Sequence, residues 1–211
     1  MSIPSPIYLY RIIHIDNLPF IIRRNEITCP SHRRANPNYI GIGDDSLIAH
    51  RKTMPTLLKP GGTFNDYIAF YFGKRSPMLY NIKNGFQGVT RRSQNEIIYL
   101  VTSLDKVKEF RIPYVYFDGH GYHHLSQVFN TEEGFAYIDW KTVHASKWFD
   151  TEDDPDRKRR KQAEFLIYQS LPLQAIIAIA TYSNRAKQNV ERILGNVNKE
   201  LNIVVKEEWY Y

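Results

Sequence analysis

Apolar residues along this chain fall in short, nearly unbroken runs. Ile7 to Ile13 (IYLYRII), Tyr67 to Phe72 (YIAFYF), Glu96 to Thr102 (EIIYLVT), Ile112 to Phe117 (IPYVYF), Ala163 to Tyr168 and Ala175 to Ala180 are rich in β-branched and aromatic residues. Runs of that length and make-up predict buried strands, and Ile203 to Val205 predicts one more. Helical spacing appears late: Ser183 caps a helix whose apolar residues Val190, Ile193, Leu194 and Val197 recur at i, i+3, i+4, i+7. Asp16 is placed to cap a short helix through Leu18, Phe20, Ile21 and Ile22, with Pro19 in its first turn. Asp44 or Asp45 caps another that carries Leu47, Ile48 and Arg51. Asp154-Pro155 reads as a helix start before the basic turn Arg157 to Lys161. Between these elements, Cys29 to Asp45 reads as an exposed loop and Lys59 to Gly62 as a breaker. Residues 118–153 read as a long loop with one helix around Leu125 to Phe129; a loop of that length in a compact domain is usually functional. With no repeat and no linker, the pattern predicts one α+β domain over residues 1–211, with a mixed, mostly antiparallel sheet.

Composition narrows the class. The 211 residues are 43% hydrophobic and 24% charged, which excludes a collagenous, low-complexity or disordered chain. A net charge of +6 with 15 Tyr, 11 Phe and 3 Trp favours phosphate-rich partners and flat surfaces on which bases stack. Cys29 is the one cysteine, so there is neither an intrachain disulfide framework nor a Cys-rich zinc site. The start of the chain lacks a signal peptide, and the longest purely apolar run, Ala175 to Ala180, is too short for a bilayer. The expectation is a soluble, cytoplasmic monomer with no membrane partner.

Four clusters carry candidate chemistry. Glu164 interrupts an apolar strand, where a carboxylate is costly unless it is paired or faces a site; the alternative is an edge-strand glutamate facing water. The run Arg157–Lys161 is either a phosphate patch or a solvated helix face, since five acids precede it and nearly cancel its charge. Asp118, His120, His123 and His124 match no standard metal spacing, so a loop of solvated histidines competes with a hydrolytic metal site. Lys74, Arg75 and Ser76, followed by Met78 and Tyr80, offer a phosphate contact beside a stacking surface, or a turn leading into the core. The pairs Gly61-Gly62 and Gly41-x-Gly43 are too short for a nucleotide-binding fingerprint and read as turns.

Several of these stretches together resemble one family. IYLYRIIHIDNL (7–18), the Arg51 helix, PGGTFNDYIAFYFGKRSPMLY (60–80), NEIIYLVTS (95–103), FDGHG (117–121), RKRRKQAEFLIY (157–168) and the terminal EEWYY resemble, in order, the DarT family of DNA ADP-ribosyltransferase toxins. The resemblance implies the fold of ADP-ribosylating toxins and poly-ADP-ribose polymerases. It also implies NAD as ADP-ribose donor and no metal. The acceptor implied is a base in single-stranded DNA within a short sequence context: thymine N3 in the branch this chain is most similar to, guanine in a sister branch. A macrodomain antitoxin, DarG, is the implied partner. Carried over by position, the catalytic glutamate falls on Glu164 and the essential arginine on Arg51. Arg11, Ile12, Ile13, Phe20 and Thr28, with Arg51, fall on donor-binding positions; some relatives carry histidine where Arg11 stands. His120 falls on a position near the DNA, and a groove of Arg75, Arg92 and His120, with Met78 and nearby aromatics, is expected to hold the strand, Arg91 being the alternative to Arg92. Residues 35–53 match an element that covers NAD, and 118–164 a substrate-recognition loop.

The chemistry is consistent with that assignment. Breaking the nicotinamide–ribose bond builds positive charge that a fixed carboxylate stabilises, and arginine's planar fork meets phosphate bidentately. Arginine stays charged, so Arg51 is better cast as stabilising an anionic thymine than as the base that deprotonates it. Two other readings remain: a metal-dependent nuclease built on Asp118, His120 and His123, and a noncatalytic single-strand binder.

Overall fold

The computed structural model describes residues 2–195 and 201–211. Its strands are β1 (Tyr8–His14), β2 (Glu26–Thr28), β3 (Tyr67–Tyr71), β4 (Ile97–Ser103), β5 (Tyr114–Phe117), β6 (Val128–Phe129), β7 (Glu164–Tyr168), β8 (Ser170–Pro172), β9 (Ala178–Thr181) and β10 (Asn202–Val205). Its helices are α1 (Leu18–Arg24), α2 (Asp45–Arg51), α3 (Pro77–Asn84), α4 (Leu104–Glu109), α5 (Trp140–His144), α6 (Arg157–Lys161) and α7 (Asn184–Leu194). Among the described residues one sheet runs β10-β9-β4-β1-β3-β7-β5-β6, and β2 pairs with β8 apart from it. The β10–β9 pair is parallel and the rest are antiparallel.

Both faces of the sheet are covered. Leu9, Ile13, Phe70, Leu100, Phe165 and Ile167 pack with α1, α4, α5 and α7 residues on one side. Tyr10, Ile12, Tyr99 and Val101 pack with Leu79 and Ile82 of α3 and with Tyr210 on the other. That double burial is why the strands read as apolar runs rather than alternating ones; every residue of β4 is buried. Between β1 and β3 the ladder shrinks to one register pair, Tyr10 with Tyr71. Arg11 Nη1 crosses there to donate to the Ala69 carbonyl at 2.7 Å.

Several expectations need correction. The turn after β1 is capped by His14, whose Nδ1 accepts from the Asp16 amide, and α1 starts at Leu18 without a side-chain cap. The start of α6 is Asp156, not Asp154-Pro155. Leu125 to Phe129 holds no helix but the short strand β6, which extends the sheet edge beside β5. The 118–153 segment is ordered by β6, a 3-10 turn (Glu132–Tyr137) and α5. Of the 175–180 run only Ala178 to Ala180 is strand, as the start of β9, and Leu173–Ala175 forms a 3-10 turn. Ser183 does cap α7 by accepting from the Ala186 amide, whereas Val197 lies outside the described residues. Among the described residues no helix is long and apolar enough to cross a membrane.

Candidate active site

Glu164 opens β7, whose neighbours in the sheet are β3 and β5; its register mate is Tyr71. It is 1% exposed, which excludes the reading of an edge-strand carboxylate in water. Arg51, the last residue of α2, meets it bidentately: Nη2 donates to Oε2 at 2.7 Å and Nη1 to Oε1 at 3.3 Å. The Gly121 amide donates to Oε1 at 2.6 Å, and the Phe64 ring lies under the Arg51 guanidinium at 4.7 Å. Burial works to raise the Glu164 pKa, but the Arg51 charge and these hydrogen bonds outweigh it and hold the carboxyl below its ordinary value of 4.5. Burial likewise opposes charge on Arg51, and Glu164 more than compensates, so its pKa is raised. Tyr71 is pushed up to about 12, first by burial and then by Glu164. Burial, the largest influence, lowers His120 from 6.5 despite the opposing pull of Glu164, with Arg51 a lesser influence on the side of burial, so its imidazole is neutral at pH 7.

Two loops deliver these groups. The 35–53 segment is pinned where Asn17 exchanges two 2.9 Å hydrogen bonds with the Ile40 backbone and where Ile42 enters the core. Asp44 then caps α2 by accepting from the Ser46 and Leu47 amides, which aims Arg51 inward. His50 reaches across the site mouth to Tyr122, ring to ring at 5.1 Å. The Asp118–Gly121 turn is fixed by Arg159, which donates to both oxygens of Asp156, to Asp118 at 3.0 Å and to Ser126 Oγ at 3.2 Å. Its carbonyl accepts the His120 amide.

The basic run is therefore neither a solvated face nor a phosphate patch. Arg160 pairs with Asp139 and Asp154, and Arg157 with Asp154. Lys161, 3% exposed, donates to the Val143 and Ala145 carbonyls at 2.7 Å each. The cations tie α6 to the start and the middle of the 118–163 segment, at Asp118, Asp139 and the Val143 and Ala145 carbonyls.

The other sequence candidates separate into groups. Arg11 lies at the β1–β3 gap with Nη2 3.3 Å from the Tyr39 hydroxyl. The Ile12 and Ile13 side chains are core on opposite faces. Phe20 lies beneath Arg23 and Arg24, and Thr28 pairs with Ser170; neither touches Arg51 or Glu164. Met78 Sδ is 4.0 Å from the Tyr71 hydroxyl, beside the pair. Arg75 and Arg92 line two different clefts, Arg92 together with Arg91 and Lys83. His120 and His123 each accept a backbone amide at Nδ1, and no metal-ligand group of three or more His, Cys, Asp or Glu forms among the described residues. Sequence reasoning missed Phe64, Tyr71, Gly121 as a donor, and the Arg159 latch. The FDGHG and PGGTFNDY stretches hold Gly121 and Phe64, but nothing local marks the contact of Gly121 with Glu164 or of Phe64 with Arg51.

With this geometry in hand, the chain can be set beside known proteins. Residues 10–211 match the family model described as "ssDNA thymidine ADP-ribosyltransferase, DarT". A DNA ADP-ribosyl transferase of Escherichia coli is 34% identical over 99% of this chain and 95% of its own length. The DarT of Thermus sp. 2.9 in complex with ADP-ribosylated single-stranded DNA superposes with a TM-score of 0.92 at 33% identity, covering 100% of this chain and 99% of that one. In complex with NAD+ the same protein gives 0.86. A DNA ADP-ribosyl transferase–DNA ADP-ribosyl glycohydrolase fusion protein of Thermosipho africanus is 25% identical over 90% of this chain, which covers 46% of the fusion. This chain belongs to the DarT family of single-stranded-DNA thymidine ADP-ribosyltransferases.

Proposed function

We propose that this protein transfers ADP-ribose from NAD to the N3 position of a thymine in single-stranded DNA, acting as the toxin of a toxin–antitoxin pair. The observation that carries the proposal is the pair of buried Glu164 with Arg51, closed by the Gly121 amide, in a chain of this family. A carboxylate kept ionised and fixed on a central strand meets the requirement for stabilising the positive charge that develops on the ribose as nicotinamide leaves. Arg51 stays protonated, so it serves as an electrostatic partner, first to donor phosphate and then to the thymine anion, while the N3 proton passes to another acceptor or to water. Arg11 and the 35–53 segment border the donor, with Ile12, Ile13, Phe20 and Thr28 supporting its pocket. Met78, Arg75, Arg92 and His120 face the DNA. Single-stranded substrate makes it cheap to turn out one base.

The neighbour fused to a glycohydrolase supports a macrodomain antitoxin that removes the modification, and a DNA-acting enzyme without membrane helices among its described residues fits a cytoplasmic monomer. The test is the intact mass of a thymine-containing single-stranded oligonucleotide incubated with NAD, chelator and this protein. A gain of one ADP-ribose unit, absent with Glu164→Ala, is expected, and fragmentation places it on thymine. Unmodified DNA and intact NAD overturn the proposal; chelator-sensitive strand cleavage indicates a nuclease instead, and salt-sensitive binding alone a passive binder.

A further inference from the structure

Asn17 holds the N-cap position of α1, where an asparagine ordinarily turns its side chain onto the first amides of the helix. This one does not, and α1 begins without a side-chain cap. Both polar atoms of the Asn17 side chain are directed instead at one residue 23 positions along the chain: Nδ2 donates to the Ile40 carbonyl and Oδ1 accepts the Ile40 amide, each at 2.9 Å. A side-chain amide offers a donor and an acceptor together, so it satisfies both backbone groups of a residue as a neighbouring strand would. With Asn17 only 1% exposed, groups left unpaired at this point are costly. A helix end that forgoes its cap to hold a distant residue serves position rather than local stability.

What it holds is the base of the arm that carries Arg51. Among the described residues, no other hydrogen bond joins residues 40–50 to the rest of the fold; the remaining ones run within 44–53, at the Asp44 cap, along α2 and in the turn after it. Just before this bolt the Tyr39 hydroxyl meets Arg11 Nη2 at 3.3 Å, and just after it Ile42 enters the core. Beyond Ile42, α2 buries none of its residues, and its last residue reaches the sheet through the Arg51–Glu164 pair. The seat of Ile40 therefore sets where α2 starts and how far Arg51 must reach. Resting on the function proposed above, we propose that Asn17 is a positioning residue for the donor, which keeps α2 in the arrangement that receives NAD. It touches no reacting atom. Without its two hydrogen bonds α2 samples other arrangements, and the apparent affinity for NAD falls with the fraction of molecules left competent. Saturating NAD restores the competent arrangement, so the chemical step keeps its rate.

The test is initial-rate kinetics of modification of a thymine-containing oligonucleotide, read by mass, with each substrate varied at saturation of the other. In Asn17→Ala the KM for NAD is expected to rise about tenfold, as the loss of one or two hydrogen bonds implies, with kcat and the KM for the oligonucleotide little changed. Asn17→Asp, which still accepts from the Ile40 amide but has nothing to donate to the carbonyl, shifts the same constant in the same direction. Ile40→Pro removes the amide from the other side of the bolt and leaves the buried asparagine in place, so it answers the question if Asn17→Ala fails to fold. An unchanged KM for NAD in the folded variants, or a rise shared equally by both substrates, overturns the positioning role, as does a fall in kcat at constant KM. If the unaltered protein modifies no oligonucleotide, the proposed function fails, and amide exchange then decides for Asn17 alone: residues 45–52 exchange faster in Asn17→Asp than in the unaltered protein, or the bolt does not hold α2.

Discussion

Gly121 shows how little room the site leaves. A Cβ at this position would lie 2.9 Å from Glu164 Oε1 and 2.9 Å from the Phe64 ring, so any side chain must push either the carboxylate or the ring beneath Arg51. Gly121→Ala is expected to lower the transfer rate about a hundredfold through misplacement of the carboxylate, with the thermal midpoint little changed; single-turnover mass kinetics and a melting curve measure both. Glu164 also fixes a pH dependence. Its folded-state pKa lies below 4.5, so the group is charged across the neutral range, and its contribution to stability is full above 4.5 and lost as pH falls through the lower folded value. The acid limb of kcat/KM assigned to Glu164 is therefore expected below 4.5. In Arg51→Ala the guanidinium no longer opposes burial, and the limb of the residual activity moves upward. A limb that stays in place in this variant would show that Arg51 does not set the ionisation of Glu164.

At the scale of elements, the sequence was most legible where burial is two-sided and local. Strands β1, β3, β4, β5 and β7 announced themselves through β-branched and aromatic runs, and the caps of α2 and α7 through Asp44 and Ser183, because each signal is contained within a few residues. The 118–163 segment was legible only as a long polar stretch. Its order comes from pairings such as Asp118 with Arg159, 41 positions apart, and Asp139 with Arg160, 21 apart, which no local periodicity reports. The basic run was half legible: Asp154 and Asp156, its nearest partners, stand just before it, whereas Asp118 and Asp139, which turn it inward, are distant in sequence. Glu164 and Arg51 were legible as residues, through a broken strand pattern and family resemblance, whereas their partners Phe64, Gly121 and Arg159 were not. The latch makes its own prediction. Arg159 is 10% exposed at its side chain and serves two aspartates, so Arg159→Ala leaves Asp118 unpaired and frees the turn that carries Gly121. The expected result is a loss of about 1–3 kcal/mol of stability in denaturant titration, and a fall in kcat of more than tenfold that Arg159→Lys only partly restores.

Across the whole molecule, the two halves of the site differ in how firmly they are anchored. Glu164 stands on a strand with five register pairs to β3, whereas α2, which supplies Arg51, buries none of its own residues. What holds α2 against the sheet is the Arg51–Glu164 pair, the His50–Tyr122 contact and the upstream Ile42 anchor. Elements with so little buried apolar surface open at low free energy, and this one borders the proposed donor pocket. In the NAD-free protein the amides of residues 45–52 are therefore expected to exchange with solvent faster than those of β3 and β7, and binding of NAD, which supplies phosphate for Arg51, is expected to slow them. The same linkage predicts a rise in unfolding midpoint at saturating NAD, about 2.7 kcal/mol at a hundredfold excess over Kd, or roughly 5–10 °C for a chain of this size. Arg51→Ala should abolish most of both effects while leaving β7 protected. Equal protection of residues 45–52 with and without NAD would mean that α2 is already locked, and that the donor enters without engaging it.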